Sequence, residues 1–429
     1  MSLPIAVYRP RNPHGSDYYR CVEDYFETFV RIYDNHFSRQ YGFWRPYIEK
    51  VIYRYLDCGD PHNGFARVKC KDCGHEHLLA FSCKRRHFCP SCHQKRVVEF
   101  GEWLCMDVLK KVPHRHFVFG IPKMLRRYFL YDRKLLAGLS RCTWESLKIF
   151  LQEAVPENDP IPSAVIAVQT FGDFLGFNPH CHILVTDGCF YGSRDMFRVA
   201  PPVELKKLEA IFRQKVLRIL LNKGKITEEM VKMLSGWRHS GFNVFCGNRI
   251  SPKEDTAMEN LARYIIRASF SQERMHYLDQ EGTVVYTSKD RKTTKVFPAM
   301  KWLAAMYSHI PNKGEQMIRY YGHYSNVSRG KRKEAGTNDD APCILDAQGD
   351  EKTFRRNWAR LIQKIYEVDP LVCPRCQGAM RVISSIEAPF VIQAILEHME
   401  LWLARARPPP KIHIPPAYST GRVSAPHHG

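Results

Sequence analysis

The chain has 429 residues, 44% of them hydrophobic and 12% aromatic, which allows a sizeable core and excludes wholesale disorder. Lys and Arg number 64 against 44 Asp and Glu, and the resulting formal charge of +20 favours a polyanionic partner, nucleic acid first. No apolar run reaches the roughly 18 residues of a membrane span. No secretory leader is apparent, so the fifteen cysteines point to a reducing, cytoplasmic setting and to metal ligation rather than disulfides.

Residues 16–35 and 43–57 carry aromatic and aliphatic side chains at three-to-four spacing and predict two amphipathic helices. A Cys/His-dense stretch follows. Cys70-x2-Cys73 and, fifteen residues on, Cys89-x2-Cys92 have a spacing that closes around one tetrahedral zinc ion. Cys83, His75, His77, His87 and His93 lie close enough to replace a ligand or to bind a second ion. Four thiolates leave no open coordination position, which favours a structural zinc. The knuckle would present Lys84, Arg85, Arg86, Lys95 and Arg96 to phosphates.

A helical pattern runs on to about residue 111, and 115–121, 164–170 and 182–186 predict strands, with a helix over 133–154. His180-Cys181-His182 sets two histidines at i and i+2. On a strand both imidazoles face one side and reach one ion. A hairpin through 171–178 would bring Gln169 beside them as an oxygen ligand, with Asp173 a looser alternative. Residues 204–222, 227–235 and 256–267 read as helices. On the last, Met258, Leu261, Ala262 and Ile265 form an apolar stripe flanked by Tyr264, with Arg267 near it. By spacing alone Tyr264 is a core tyrosine.

Tyr320 and Tyr324 stand four apart after basic residues and suit stacking on unpaired bases. The mixed order of elements predicts an α+β fold on an antiparallel sheet. The expected organisation is a helical and zinc-binding module over 1–112, a second domain over 113–333 and a linker at 334–350. A C-terminal helical and CxxC module over 351–407 opens with a helix at 351–367, and a Pro-rich disordered tail covers 408–429. Cys373-Pro-Arg-Cys376 is half a metal site, for which His398 is a conceivable partner.

The segment QTFGDFLGFNPHCHILVTDG resembles the HUH motif (His, hydrophobic residue, His) of rolling-circle nucleases. The segment CGDPHNGFARVKCKDCGHEHLLAFSCKRRHFCPSC resembles the zinc-binding domain of insertion-sequence-91-family transposases. ENLARYIIRASFSQERM and GEQMIRYYGHYSNVSRGKR resemble further blocks of the same family. This resemblance implies a rolling-circle DNA transposase, with an antiparallel-sheet HUH nuclease domain behind the zinc module. It implies single-strand nicking and joining through a 5′-phosphotyrosine on Tyr264, and Mg²⁺ or Mn²⁺ held by His180, His182 and Gln169. Arg267, Tyr320 and Tyr324 would then contact DNA, with Tyr320 and Tyr324 also open as structural aromatics or as rival nucleophiles. Two-tyrosine members carry Tyr-x3-Tyr where this chain has Asn260, so the resemblance is to the single-tyrosine, common-region (ISCR) branch. The implied partners are single-stranded or hairpin DNA at element ends and target DNA, with homo-oligomerisation open. Two other readings share these residues: a plasmid relaxase or replication initiator, and a zinc-dependent DNA-binding protein that cuts nothing.

Overall fold

The computed structural model describes residues 12–85, 87–192, 196–237, 241–334 and 371–402. Three helices open the chain: α1 (Asp17–His36), α2 (Ser38–Tyr41) and α3 (Tyr47–Leu56). The Ser16 side chain accepts the Tyr19 amide and so caps α1, a bond worth about 1 kcal/mol. Next come β1 (Phe65–Cys70), β2 (Glu76–Ala80) and α4 (Pro90–Trp103), which runs into a π turn at Leu104–Val108. β3 (His114–Gly120), α5 (Arg126–Tyr131), α6 (Lys134–Ala154), β4 (Ala164–Phe171) and β5 (Phe177–Thr186) follow. A small hairpin of β6 (Gly188–Tyr191) and β7 (Met196–Val199) precedes α7 (Leu205–Asn222) and α8 (Glu228–Gly236). Then come β8 (Asn243–Ile250), α9 (Asp255–Ile265) and a meander of β9 (Met275–Leu278), β10 (Thr283–Thr287) and β11 (Thr294–Pro298). The described chain ends with α10 (Ala299–His309), β12 (Ile318–Tyr321), α11 (Asn326–Glu334), β13 (Met380–Ile386) and α12 (Pro389–His398).

The central sheet has five strands in the order β12-β4-β5-β3-β8, and every adjacent pair is antiparallel. It is the α+β arrangement expected from the order of elements. Period-two alternation divides its side chains between two layers. Phe117, Phe119, Cys181, Ile183 and Val185 face one way and pack with Leu139 and Leu147 of α6 and Phe212 and Val216 of α7. Val165, Ala167 and Leu184 face the other way and pack with Phe100 and Leu104 and with Met258, Ala262 and Ile265 of α9. Each such fully buried aliphatic or aromatic side chain contributes roughly 1.5–3 kcal/mol. Gly101 permits the close approach of α4 to α9, because a Cβ there would stand 2.8 Å from Arg263 Cγ.

Two expected boundaries are redrawn. The N-terminal helices do not form a unit over 1–112, since Tyr18, Phe29 and Tyr33 of α1 share a core with Trp302 and Tyr307 of α10 and with Val284 and Tyr286 of β10. Arg45 fastens this join by donating to the carbonyls of Tyr307 and Ile310, each at 2.6 Å. The CxxC segment does not form a separate C-terminal module either. β13 adds to β1 in a three-stranded sheet, β13-β1-β2, and α12 packs on Phe65. The expected helix at 351–367, the tail and all of the expected linker except Glu334, which closes α11, lie outside the described residues. No helix among the described residues is long and apolar enough to cross a membrane.

Candidate active site and metal centres

His180 and His182 lie on β5 and point to the face covered by α9. Their Nε2 atoms are 3.1 Å apart. The His180 Nδ1–H donates to the Asn178 carbonyl at 2.7 Å, which fixes the His180 tautomer and leaves its Nε2 as an acceptor facing His182 Nε2. Gln169 of β4 stands in register with His180. Its Nε2 donates to the Ile265 carbonyl at 2.8 Å, while its buried Oε1 has no hydrogen-bond partner. Two imidazole nitrogens and an orphaned amide oxygen on one face form a donor set for a hard or borderline divalent ion. Cis donors on an octahedral ion with bonds of about 2.1 Å lie about 3.0 Å apart, close to the observed separation. Burial lowers the pKa of both imidazoles. For His182, with His180, His116 and Arg267 adding to the effect, it falls to about 2. Both rings are therefore neutral near pH 7, as ligation requires.

His116 of β3 joins this group, and the sequence reading missed it. Its Nε2 lies 3.0 Å from His182 Nδ1, and the two rings stack with centroids 5.2 Å apart. Burial pushes the His116 pKa down to about 4. The available signal was a second His-x-His, at His114 and His116, on a strand that pairs with β5.

Tyr264 sits near the C-terminal end of α9. Met258, Ala262 and Ile265 are buried as the stripe predicts, whereas Tyr264 is 36% exposed and is not a core residue. Its ring meets those of His182 and His116 edge-on, with centroids at 5.4 and 6.2 Å. The Arg267 guanidinium lies 4.6 Å from the ring centroid and Lys289 Nζ 5.9 Å from it. The fold thus gathers Tyr264, Arg267, His180, His182 and Gln169 in one place. A cleft of about 1100 Å³ opens beside them, lined by His180, Tyr264, Arg267, Arg274, Lys289 and Gln94, with Asp173 on its wall.

Other predicted residues fall elsewhere. Tyr324 is fully buried, with its hydroxyl 2.7 Å from His114 Nε2 and accepting the Lys110 amide, so it cannot stack on a base. Tyr320 is half-buried, edge-on to Trp103 and flanked by Arg329, in the layer between sheet and helix. The Tyr324 ring is structural in place. Lys84 and Arg85 are exposed on the knuckle, whereas Arg86 lies outside the described residues. Lys95 pairs with Glu99 at 3.7 Å, and Arg96 lies over Phe100.

The cysteines require the largest correction. Cys70, Cys73, Cys89 and Cys92 do not share a site; they divide between two clusters, each with sulfur atoms within 4.8 Å of one another. Cys89 and Cys92 join Cys58 and Cys83, all four buried, with Cys58–Cys89 at 3.8 Å and Cys83–Cys92 at 3.6 Å. Cys70 and Cys73 join Cys373 and Cys376, and His398 takes no part. Tetrahedral zinc with Zn–S bonds of about 2.3 Å separates its sulfurs by about 3.8 Å, so the first cluster fits zinc. Hydrogen bonding to Cys58, then to the other two thiols, together with burial raises the Cys89 thiol far above its ordinary range. Only a bound cation would let these four ionise together. Cys58 and Cys83 belong to no CxxC pair, which is why spacing did not single them out as a set. The first turn of α4, from Cys89 to Gln94, carries this cluster to the wall of the cleft.

Comparison with known proteins agrees with this picture. A model described as "Transposase zinc-binding domain" matches residues 28–121, and one described as "Putative transposase" matches residues 164–332. The transposase for insertion sequence element IS801 of Pseudomonas savastanoi pv. phaseolicola is 23% identical over 368 residues, covering 81% of this chain and 85% of the relative. A protein of Sinorhizobium fredii named "Putative transposase y4qJ" is 24% identical over 344 residues, covering 73% of this chain and 83% of the relative. No solved structure matches. These matches define the class, a transposase with a zinc-binding domain ahead of its main domain. Together the two models and the IS801 relative support an insertion-sequence-91-family transposase with an N-terminal zinc-binding domain.

Proposed function

We propose that the chain nicks and rejoins single DNA strands during rolling-circle transposition, with Tyr264 as nucleophile. The observation that carries this reading is the Tyr264 ring standing 5.4 Å from that of His182, beside a histidine pair whose Nε2 atoms face each other. His180, His182 and Gln169 would hold a divalent ion, Mg²⁺ or Mn²⁺. When bound, it neutralises charge on the scissile phosphate.

The protein's own residues account for the rest. The phenolic oxygen of Tyr264 attacks phosphorus in line as the bond from phosphorus to the 3′-oxygen breaks. The phenol gives up its proton and the departing oxygen takes one, so one phosphoester is exchanged for another. The resulting 5′-phosphotyrosine conserves the bond for rejoining, because a phenolate is a competent leaving group. Arg267 and Lys289 bring positive charge to the tyrosine side of the cleft, and Lys84 and Arg85 offer exposed charge to a strand near the zinc module. Asn260 is exposed one turn before Tyr264, so no second tyrosine stands there. Transfer would then reuse Tyr264, recruit a second protomer or employ the released 3′-hydroxyl.

The test is incubation with end-derived single-stranded or hairpin oligonucleotides and Mn²⁺, followed by a denaturing gel. The expected result is a covalent protein–DNA adduct that is lost in Tyr264→Phe. An adduct persisting in that variant removes Tyr264 from the role. Absence of cleavage by the folded wild-type protein under every divalent ion favours a DNA-binding protein that does not cut.

A further inference from the structure

We infer that Cys70, Cys73, Cys373 and Cys376 bind a second zinc ion, which clasps the C-terminal segment to the N-terminal hairpin. The four sulfurs lie mutually within 4.8 Å, with Cys70–Cys376 and Cys73–Cys373 both at 3.5 Å. That is close to the spacing of about 3.8 Å that a tetrahedral all-sulfur zinc imposes.

The two half-sites have the same build. The Cys70 amide donates to the His75 carbonyl at 2.8 Å, and the Cys373 amide donates to the Gly378 carbonyl at 2.9 Å, the same five-residue closure. In each turn the residue after the second cysteine has a left-handed backbone, with φ +72° at Gly74 and +60° at Gln377. The two turns also face each other closely, since a Cβ on Gly378 would overlap the Asp72 carboxylate. β1 and β13 pair from Phe65 opposite Ile386 to Cys70 opposite Met380, so both turns emerge at one end of the three-stranded sheet.

A metal explains what the packing leaves unexplained. The apolar cluster here contains four buried residues, Val68, Cys70, Cys373 and Met380, and two of them are ligands. Among small units with so little core, a structural metal is a usual source of order. An all-thiolate set selects zinc over Mg²⁺ or Ca²⁺, and four protein ligands close the coordination sphere, so this ion does no chemistry. The site is distinct from the cluster of Cys58, Cys83, Cys89 and Cys92. Half its ligands come from Cys373 and Cys376, beyond both matched segments and 300 residues from the hairpin in the case of Cys73 and Cys373. The clasp therefore closes the whole strand-breaking domain into a loop between its two halves.

Native mass spectrometry of the full-length protein should count two zinc ions, falling to one in Cys373→Ser/Cys376→Ser. A single zinc in the wild type, or two in the double variant, overturns the proposal. A second measurement uses the wild type alone, in case the variant does not fold. Cys73 and Cys376 are exposed, so as free thiols they would react with iodoacetamide at once. Zinc-bound, they should resist alkylation until a chelator is added. Immediate alkylation in zinc-replete protein contradicts the clasp. Protection that survives chelator and yields only to reductant indicates disulfides and contradicts it equally.

Discussion

Along β5, neighbouring side chains are equally buried and chemically opposite. Cys181, Ile183 and Val185 are at most 1% exposed and pass into an apolar core with α6 and α7. His180 and His182 are 9% and 3% exposed, yet they meet Gln169, His116 and Tyr264. An unpaired polar atom in such a place costs free energy, so the orphaned Gln169 Oε1 beside the two imidazoles supports the proposed divalent-ion site. The odd-numbered face of the strand is apolar throughout, whereas the even-numbered face passes from His180 and His182 to Leu184, which packs in the core beneath α9.

Substitutions on either face of β5 separate the two roles. His182→Ala should lower divalent-dependent cleavage of end-derived oligonucleotides by about 10²–10³-fold, with the melting temperature nearly unchanged. Ile183→Ala should do the reverse. It removes about 2–5 kcal/mol of stability by leaving a cavity, while the folded fraction cleaves at the wild-type rate. Urea titration together with single-turnover cleavage of both variants separates the two. If His182→Ala chiefly unfolds the protein, the two faces are not functionally distinct.

Two smaller effects sharpen the contrast. His116 orients His182 through its Nδ1, so His116→Ala should weaken Mn²⁺ binding about 10- to 100-fold, read by metal titration of cleavage. Unchanged metal dependence would make His116 a bystander. His114, on the same strand, is held near pKa 4 by burial, below the unfolded value of 6.5. Between these values the unfolded chain binds more protons, so the stability contribution is complete above about pH 6.5 and lost as pH falls toward 4. At pH 5 the loss is about 2 kcal/mol from this group. The wild-type urea midpoint should therefore fall from pH 7 to pH 5 more steeply than that of His114→Gln. Parallel slopes would refute the assignment.

Much of this site was legible because strand alternation is local. Residues i and i+2 face together, so His180 and His182 could be paired, and a hairpin placed Gln169 next to them. Other features depend on partners distant in the chain. β8, with the sequence NVFCGNRI, shows no clean alternation and is a strand because β3 needs an edge partner. Cysteine spacing reports which loops can close, and it cannot report that Cys70 and Cys73 meet two thiols 300 residues on. Tyr324 reads as an aromatic able to stack on an unpaired base until His114 is found beneath its hydroxyl. Helix periodicity placed Tyr264 at the edge of an apolar stripe. The direction of its ring depends on the sheet beneath.

Tyr264 is the residue proposed to form the covalent bond to DNA. Protease digestion of the cross-linked protein, followed by tandem mass spectrometry, would locate the nucleotide-bearing residue directly. The expected result is a single modified peptide with the nucleotide on Tyr264. A nucleotide on Tyr320 or on any other side chain, or cleaved DNA with no adduct at all, would contradict it.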